Sequence, residues 1–120
     1  MSSKTQKIGT EAEDIALNYL FLQGLKLIDR NFNCQQGEID LIMQDQDQYV
    51  FIEVRYRKNP YYGDPLESVT SSKKAKIIKA ATIYLLQQEL YDKVVCRFDV
   101  ISVVANQSKI SWIKDAFQVQ

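Results

Sequence analysis

Two carboxylates, Asp40 and Glu53, have the types and the spacing to share one divalent cation. They lie in the segments Gly37–Ile42 and Val50–Arg55, which flank the polar stretch Asp45, Gln46, Asp47 and Gln48. If those segments are strands joined through that turn, directly opposed residues have numbers that sum to 93, as 40 and 53 do. Opposed side chains on one face sit about 4.5–5.5 Å apart at Cβ, and like charges so placed destabilise a sheet. A cation bound through oxygen ligands is the leading candidate to offset that repulsion. The alternative is a solvated strand face on which Glu38 and Arg55 form an ordinary ion pair, an arrangement that often contributes nothing measurable.

Alternation fixes the register. One face carries Ile39, Leu41, Met43, Val50, Ile52 and Val54, and the other carries Glu38, Asp40, Ile42, Phe51, Glu53 and Arg55. A slip of one residue would send every apolar side chain to the wrong face. Basic residues cluster at Arg55, Arg57 and Lys58 and again at Lys73, Lys74, Lys76 and Lys79, so both signs are at hand for a phosphate-cleaving site. The chain contains no histidine, which removes imidazole-based nucleases, imidazole triads and histidine-ligated zinc hydrolases. Any hydrolysis would run on carboxylates, lysine or arginine, and metal-bound water.

The elements that must position these groups follow from periodicity. The spacing of Ala12, Ile15, Ala16, Tyr19 and Leu20 predicts a helix over 11–23 that stops at Gly24, and Thr10 with Glu13 has the pattern of a capping box. A strand is expected over 25–32, then the carboxylate hairpin. Residues 57–66 contain Pro60, Tyr61, Tyr62, Gly63 and Pro65 and read as a loop; its tyrosines suit packing, or stacking on bases. A second helix is predicted over 71–90, with Ala75, Ile78, Ala81, Thr82, Leu85 and Leu86 inward, Lys73 and Lys76 opposite, and Lys79 at the boundary. That basic face is either solvated or attractive to phosphate. A strand over 94–105, a turn at 106–108 and a strand over 109–113 complete the order helix, three strands, helix, two strands.

With 120 residues the chain fits one domain spanning 1–120. Its 46% hydrophobic and 25% charged content is that of an ordinary globular protein. A net charge of zero argues against a surface that clings everywhere to nucleic acid, though local patches remain compatible with it. No apolar run approaches the roughly 18 residues of a membrane span, and the first ten residues lack a signal-peptide core, so the expectation is a cytoplasmic protein without a membrane partner. Cys34 and Cys96 form no metal-binding or redox pair and read as small, buried, reduced residues.

The hairpin with Asp, then Glu, one residue and a basic residue, set between two helices, resembles the restriction-endonuclease-like fold. Gly9, Ala12, Glu13, the run 37–42, Phe51 to Val54, Gly63, Lys73, Arg97 to Val100, Ala116 and Phe117 together resemble the YraN family of small bacterial proteins over nearly the whole chain. The resemblance implies an α/β fold with a mixed sheet and a nuclease related to Holliday junction resolvases. Carried over, Asp40 and Glu53 would hold Mg²⁺ or Mn²⁺, which lowers the pKa of bound water, and Glu13 would approach from the first helix. Arg55 stands where the fold uses lysine. Arginine stays protonated, so it clamps phosphate but cannot act as a base, and Lys73 or Lys74 is the candidate replacement.

The function expected on this basis is metal-dependent hydrolysis of DNA or branched nucleic acid, with Asp40, Glu53, Arg55 and Glu13 as catalytic groups. Arg57, Lys58, Lys73 and Lys74 would bind nucleic acid. Cutting both strands usually takes two sites, which makes a homodimer an expectation. The rival is a binding module that kept the fold and lost turnover, and a protein-interaction domain is a third reading. Arg97 and Asp99, on one face of the late strand, read equally well as an ion pair or as binding residues. Gly37 and Gly63 read as turn or bulge residues.

Overall fold

The computed structural model describes residues 4–58, 65–104 and 109–119, with side chains described from 11 onward and from 66 after the gap. Helix α1 (Lys4–Leu22) precedes strands β1 (Lys26–Cys34), β2 (Gly37–Asp45) and β3 (Gln48–Arg57). A 3-10 turn (Pro65–Ser68) leads into helix α2 (Ser71–Gln87), and β4 (Val95–Val104) and β5 (Ile110–Phe117) follow. The element order differs from the expected one by that 3-10 turn. The loop residues Pro60, Tyr61, Tyr62 and Gly63 and the turn at 106–108 lie outside the described residues.

The five strands lie in the order β1-β2-β3-β4-β5. All neighbours are antiparallel except β3 and β4, which run parallel. Parallel neighbours need a crossover, and α2 supplies it. Each helix covers a different core. Under α1 lie Ala12, Ala16, Leu20, Leu41, Met43, Val50, Ile52 and Ile101; under α2 lie Ile42, Phe51, Ile77, Ala80, Tyr84, Phe98 and Val100. The sheet is therefore a mixed α/β layer buried on both sides, which explains the long apolar runs in β2, β3 and β4.

Three expectations about the helices are corrected. Helix α1 starts at Lys4, so Thr10 lies within it rather than at its start; the apolar period begins only at Ala12 and hid the earlier turns. Helix α2 ends at Gln87 rather than at 90. Its buried stripe is Ile77, Ala80, Ala81, Tyr84 and Leu85, while Ala75 and Leu86 are exposed. Apolar residues occur on both sides of this helix, and Tyr84 decides between them by packing edge-on against Phe32 and Phe51. That choice turns Lys73, four residues before Ile77, toward the sheet.

Both helices end in the same way. In α1 Gly24 donates to the Phe21 carbonyl and Leu25 to Leu20, the double bond of a Schellman motif, with Gly24 at φ +101°. In α2 Glu89 donates to Leu86 and Leu90 to Leu85, with Glu89 at φ 58°. A side chain in the left-handed region is strained where glycine is not. Glu89→Gly should therefore stabilise the protein by about 0.5–1 kcal/mol, and Gly24→Ala should cost a similar amount; urea midpoints at constant m-value check both.

Candidate functional site

The β2–β3 ladder keeps the expected register from Asp45 opposite Gln48 to Leu41 opposite Ile52. It ends there, one step before Asp40 and Glu53. Where the next strand bond would form, the Val54 amide donates instead to Asp40 Oδ2 at 2.8 Å. The Asp40 carboxylate thus replaces a neighbouring carbonyl and holds the two strands at the point where they part.

Alternation also breaks here. Ile39 and Ile42 both belong to the core under α2, with Leu41 in the core under α1. Ile39 therefore does not share a face with Leu41, Met43 and Ile52 as expected. On the neighbouring strand Arg30 opposes Leu41 and Phe32 opposes Ile39, and the intervening Asn31 has φ 55°. Irregularities of this kind re-aim a side chain, and the one re-aimed is Asp40.

Glu53 is buried, at 3% exposure, in the middle strand. A buried carboxylate must be paired or hydrogen-bonded to be tolerated. Arg55 Nη1 lies 3.2 Å from Glu53 Oε2 and Lys73 Nζ lies 3.6 Å from the same oxygen. Arg55 Nε donates to Ser68 Oγ at 3.2 Å, which ties the guanidinium to the 3-10 turn. Thr70 caps α2, its hydroxyl accepting from the Lys73 amide at 3.1 Å, and so fixes where the lysine stem begins.

Lys74 points elsewhere, with its ammonium 5.9 Å from the centre of the Phe117 ring. Lys58 is exposed and Arg57 half-buried at the end of β3. Glu13 approaches Asp40 closely enough for its charge to act on it, but its ion-pair partner is Arg30, at 3.5 Å. Arg30 lies closer to Asp14, at 2.8 Å. The residues missed in the sequence are thus Arg30, Ser68 and the Val54 amide. Only Thr70, a hydroxyl residue just before an apolar-periodic helix, carried a readable signal.

Burial raises the Asp40 pKa first, and the Glu53 charge second; Glu13 and Glu38 add to this while the Val54 hydrogen bond opposes it, leaving the group at about 7. Asp40 therefore changes charge near neutrality. Two carboxylates whose charges act on each other are hard oxygen donors of the kind Mg²⁺ or Mn²⁺ takes, and a divalent cation would relieve their mutual repulsion. Among the described residues no three His, Cys, Asp or Glu side chains gather to form a ligand set. A cation held by these two carboxylates would have to complete its shell with water, backbone or ligand oxygens, as is usual for Mg²⁺.

A second charged group lies at the other end of the hairpin. Asp99 is fully buried and accepts from Arg97 Nε at 3.0 Å, Trp112 Nε1 at 2.9 Å and the Asp115 amide at 2.9 Å. Arg97 also reaches Asp45 Oδ2 at 3.0 Å and Gln48 Oε1 at 3.1 Å. Burial works against the arginine charge, but the bonds to Asp99 and Asp45 more than offset it and hold its pKa above the ordinary value. Arg97 and Asp99 thus form a closed structural network. Cys34 and Cys96 are half-buried free thiols.

Two outcomes are expected. An acid whose folded pKa is raised from 3.8 to about 7 binds more protons folded than unfolded between those values, so it lowers stability as pH rises through that window. Relative to Asp40→Asn, the wild type should lose on the order of 2 kcal/mol between about pH 4 and pH 7.5, roughly half the full displacement because the carboxyl is only partly buried; urea titrations in chelator at both pH values measure it. Asp99→Ala leaves the Trp112 indole and the Asp115 amide without an acceptor, while Arg97 keeps Asp45 and Gln48, and should cost about 2–4 kcal/mol, read from denaturant unfolding.

Residues 12–103 match the model of a family described as "Uncharacterised protein family UPF0102". A UPF0102 protein of Coxiella burnetii (strain RSA 331 / Henzerling II) is 49% identical over 120 residues, covering 100% of this chain and 99% of the relative. A UPF0102 protein of Legionella pneumophila (strain Paris) is 50% identical over 113 residues, covering 94% and 96%. One from Stutzerimonas stutzeri (strain A1501) is 45% identical over 118 residues, covering 97% and 98%. With a family model over most of its length and such identity along the whole of related chains, the protein belongs to the UPF0102 (YraN) family.

Proposed function

We propose that the protein is a metal-dependent nuclease built on a restriction-endonuclease-like core and acting on DNA or branched nucleic acid. The observation that carries this reading is the convergence of Arg55 and Lys73 on the buried Glu53 beside an Asp40 raised to about 7. Asp40 and Glu53 would hold Mg²⁺ or Mn²⁺, which when bound polarises a phosphate and acidifies a water.

The chain's own groups supply the remaining roles. Lys73 reaches Glu53 from α2, so the cation missing from the strand position held by Arg55 is provided from the helix. A lysine, unlike an arginine, can lose a proton and orient or deprotonate the attacking water. Arg55 remains protonated and is held by Glu53 and Ser68, which suits it to clamp a phosphate oxygen and stabilise developing charge. Glu13, held at 3.5 Å by an arginine that lies nearer to Asp14, is a candidate to turn toward the carboxylate pair. Arg57, Lys58 and Lys74 would contact the backbone of the nucleic acid.

One observation favours a second reading, a non-catalytic nucleic-acid-binding module. Two cations already neutralise Glu53, and such a site can be stable without metal.

Titration calorimetry with Mn²⁺ and Mg²⁺ on wild type, Asp40→Asn and Lys73→Met, with the same samples incubated with branched and single-stranded DNA, separates these. Hydrolysis predicts metal binding that Asp40→Asn weakens at least tenfold and cutting that falls at least a hundredfold in both variants, with metal binding kept in Lys73→Met. DNA held uncut with no metal bound at millimolar concentration would establish the binding module instead.

A further inference from the structure

A column of stacked aromatic rings runs from the core to the surface and ends in an open groove. Phe51 stacks on Phe98 at 5.6 Å between centroids and 29° between planes, and Phe98 on Phe117 at 5.1 Å and 19°. Helix α2 packs on β2 and β1. The β4–β5 side of the same sheet face is bordered by the helix, leaving a groove of roughly 700 Å³. Its walls include Ser71, Lys74 and Lys79 from α2 and Asp115 and Phe117 from β5. The cation of Lys74 stands over the Phe117 ring.

We propose that this groove between α2 and β5 binds a nucleotide of single-stranded DNA, its base stacked on Phe117, its phosphates on Lys74 and Lys79, and a base amino group on Asp115. The chemistry of the walls selects that occupant. A flat aromatic face calls for a planar ring, and stacking on it accepts any base. Two lysines on one wall call for phosphate. Asp115 is held in place by Gln118 Nε2, which donates to Oδ2 at 3.1 Å, and by its own amide bound to Asp99, so it offers a fixed acceptor to an exocyclic amine. A ligand with a planar ring, a donor edge and an anion is a nucleotide. Lys74 would leave the ring for a phosphate as the base takes its place.

The groove also adjoins the carboxylate site. Lys73 and Lys74 are consecutive, one beside Glu53 and the other over Phe117. The helix start therefore separates a site for phosphate chemistry from a site for an unpaired base. The inference rests on the nucleic-acid part of the proposed function but not on hydrolysis, and it specifies an unpaired strand as what the protein grips.

The test is photocrosslinking of the full chain to a 5-iodouracil oligonucleotide of about ten residues, mapped by peptide mass spectrometry, with anisotropy titrations on wild type, Lys79→Glu and Phe117→Leu. The expected result is a crosslink to Phe117 and an affinity loss of about tenfold in each variant. Lys79 is exposed, so its charge reversal leaves the fold intact if Phe117→Leu proves unstable. Crosslinks only outside the groove, or unchanged affinity in both variants, would overturn the proposal. Competition only by oligonucleotide supports a strand as the occupant, whereas equal competition by deoxyadenosine monophosphate in the oligonucleotide's own concentration range would overturn the strand and leave a free-nucleotide site. Failure of wild type to bind oligonucleotide while Mn²⁺ still binds at Asp40 and Glu53 overturns the groove and leaves the metal reading standing. A Phe117 crosslink without metal binding does the reverse.

Discussion

The charge of Glu53, buried in the central strand, is the constraint around which the site is built. A carboxylate there cannot stand alone, because desolvation without partners costs more than one domain's stability can absorb. Arg55, two residues along on the same strand, supplies one cation. The second, from Lys73, requires α2 to begin at Thr70 and to present the stripe headed by Lys73 and Ile77 to the sheet. Gly37 belongs to the same requirement. A Cβ at that position would lie 3.0 Å from the Lys76 carbonyl oxygen, so a side chain there would press the helix back from the start of β2.

The two charged groups of the hairpin differ in how far they are satisfied. At the turn end Asp99 accepts from an arginine, an indole and an amide, and Arg97 is shared among three residues. Such a closed network rigidifies a fold. At the open end Asp40 has been pushed up to about 7 by burial and by Glu53. Strongly perturbed groups with a specific charged neighbour cluster at functional sites, and here the contrast lies within one pair of strands. The sheet is anchored where its charges are satisfied and electrostatically strained where they are not.

The hairpin register was legible because burial on both faces leaves a single pairing for Leu41 to Asp45 with Gln48 to Ile52. The departure at Asp40 was not, since period-two reasoning assumes that alternation persists; Asn31 and Asn33 mark a turn-prone end of the strand, and Asn readily takes a φ of 55°, but that does not say that the neighbouring strand loses its alternation. The stop at Gly24 could be read from its residue type; the stop at Glu89 could not, because the same left-handed conformation is carried by a residue that does not advertise it. Lys73 was recognised as a candidate but assigned to the outer face. Apolar residues on both sides of α2 leave its orientation undecided until Tyr84 meets Phe32 and Phe51.

The parting of β2 from β3 has a mechanical consequence. Glu53 belongs to a strand paired with β4 without interruption from Gln48 to Arg57, whereas Asp40 lies just past the last rung of the β2–β3 ladder and is tied to it by one side-chain bond. Glu53 is thus fixed toward β4 by the backbone, and Asp40 toward β3 by a side-chain bond. The junction of the two strands rests at this point on a side chain, so the identity of residue 40 decides where the pair opens, a choice that no backbone rung makes.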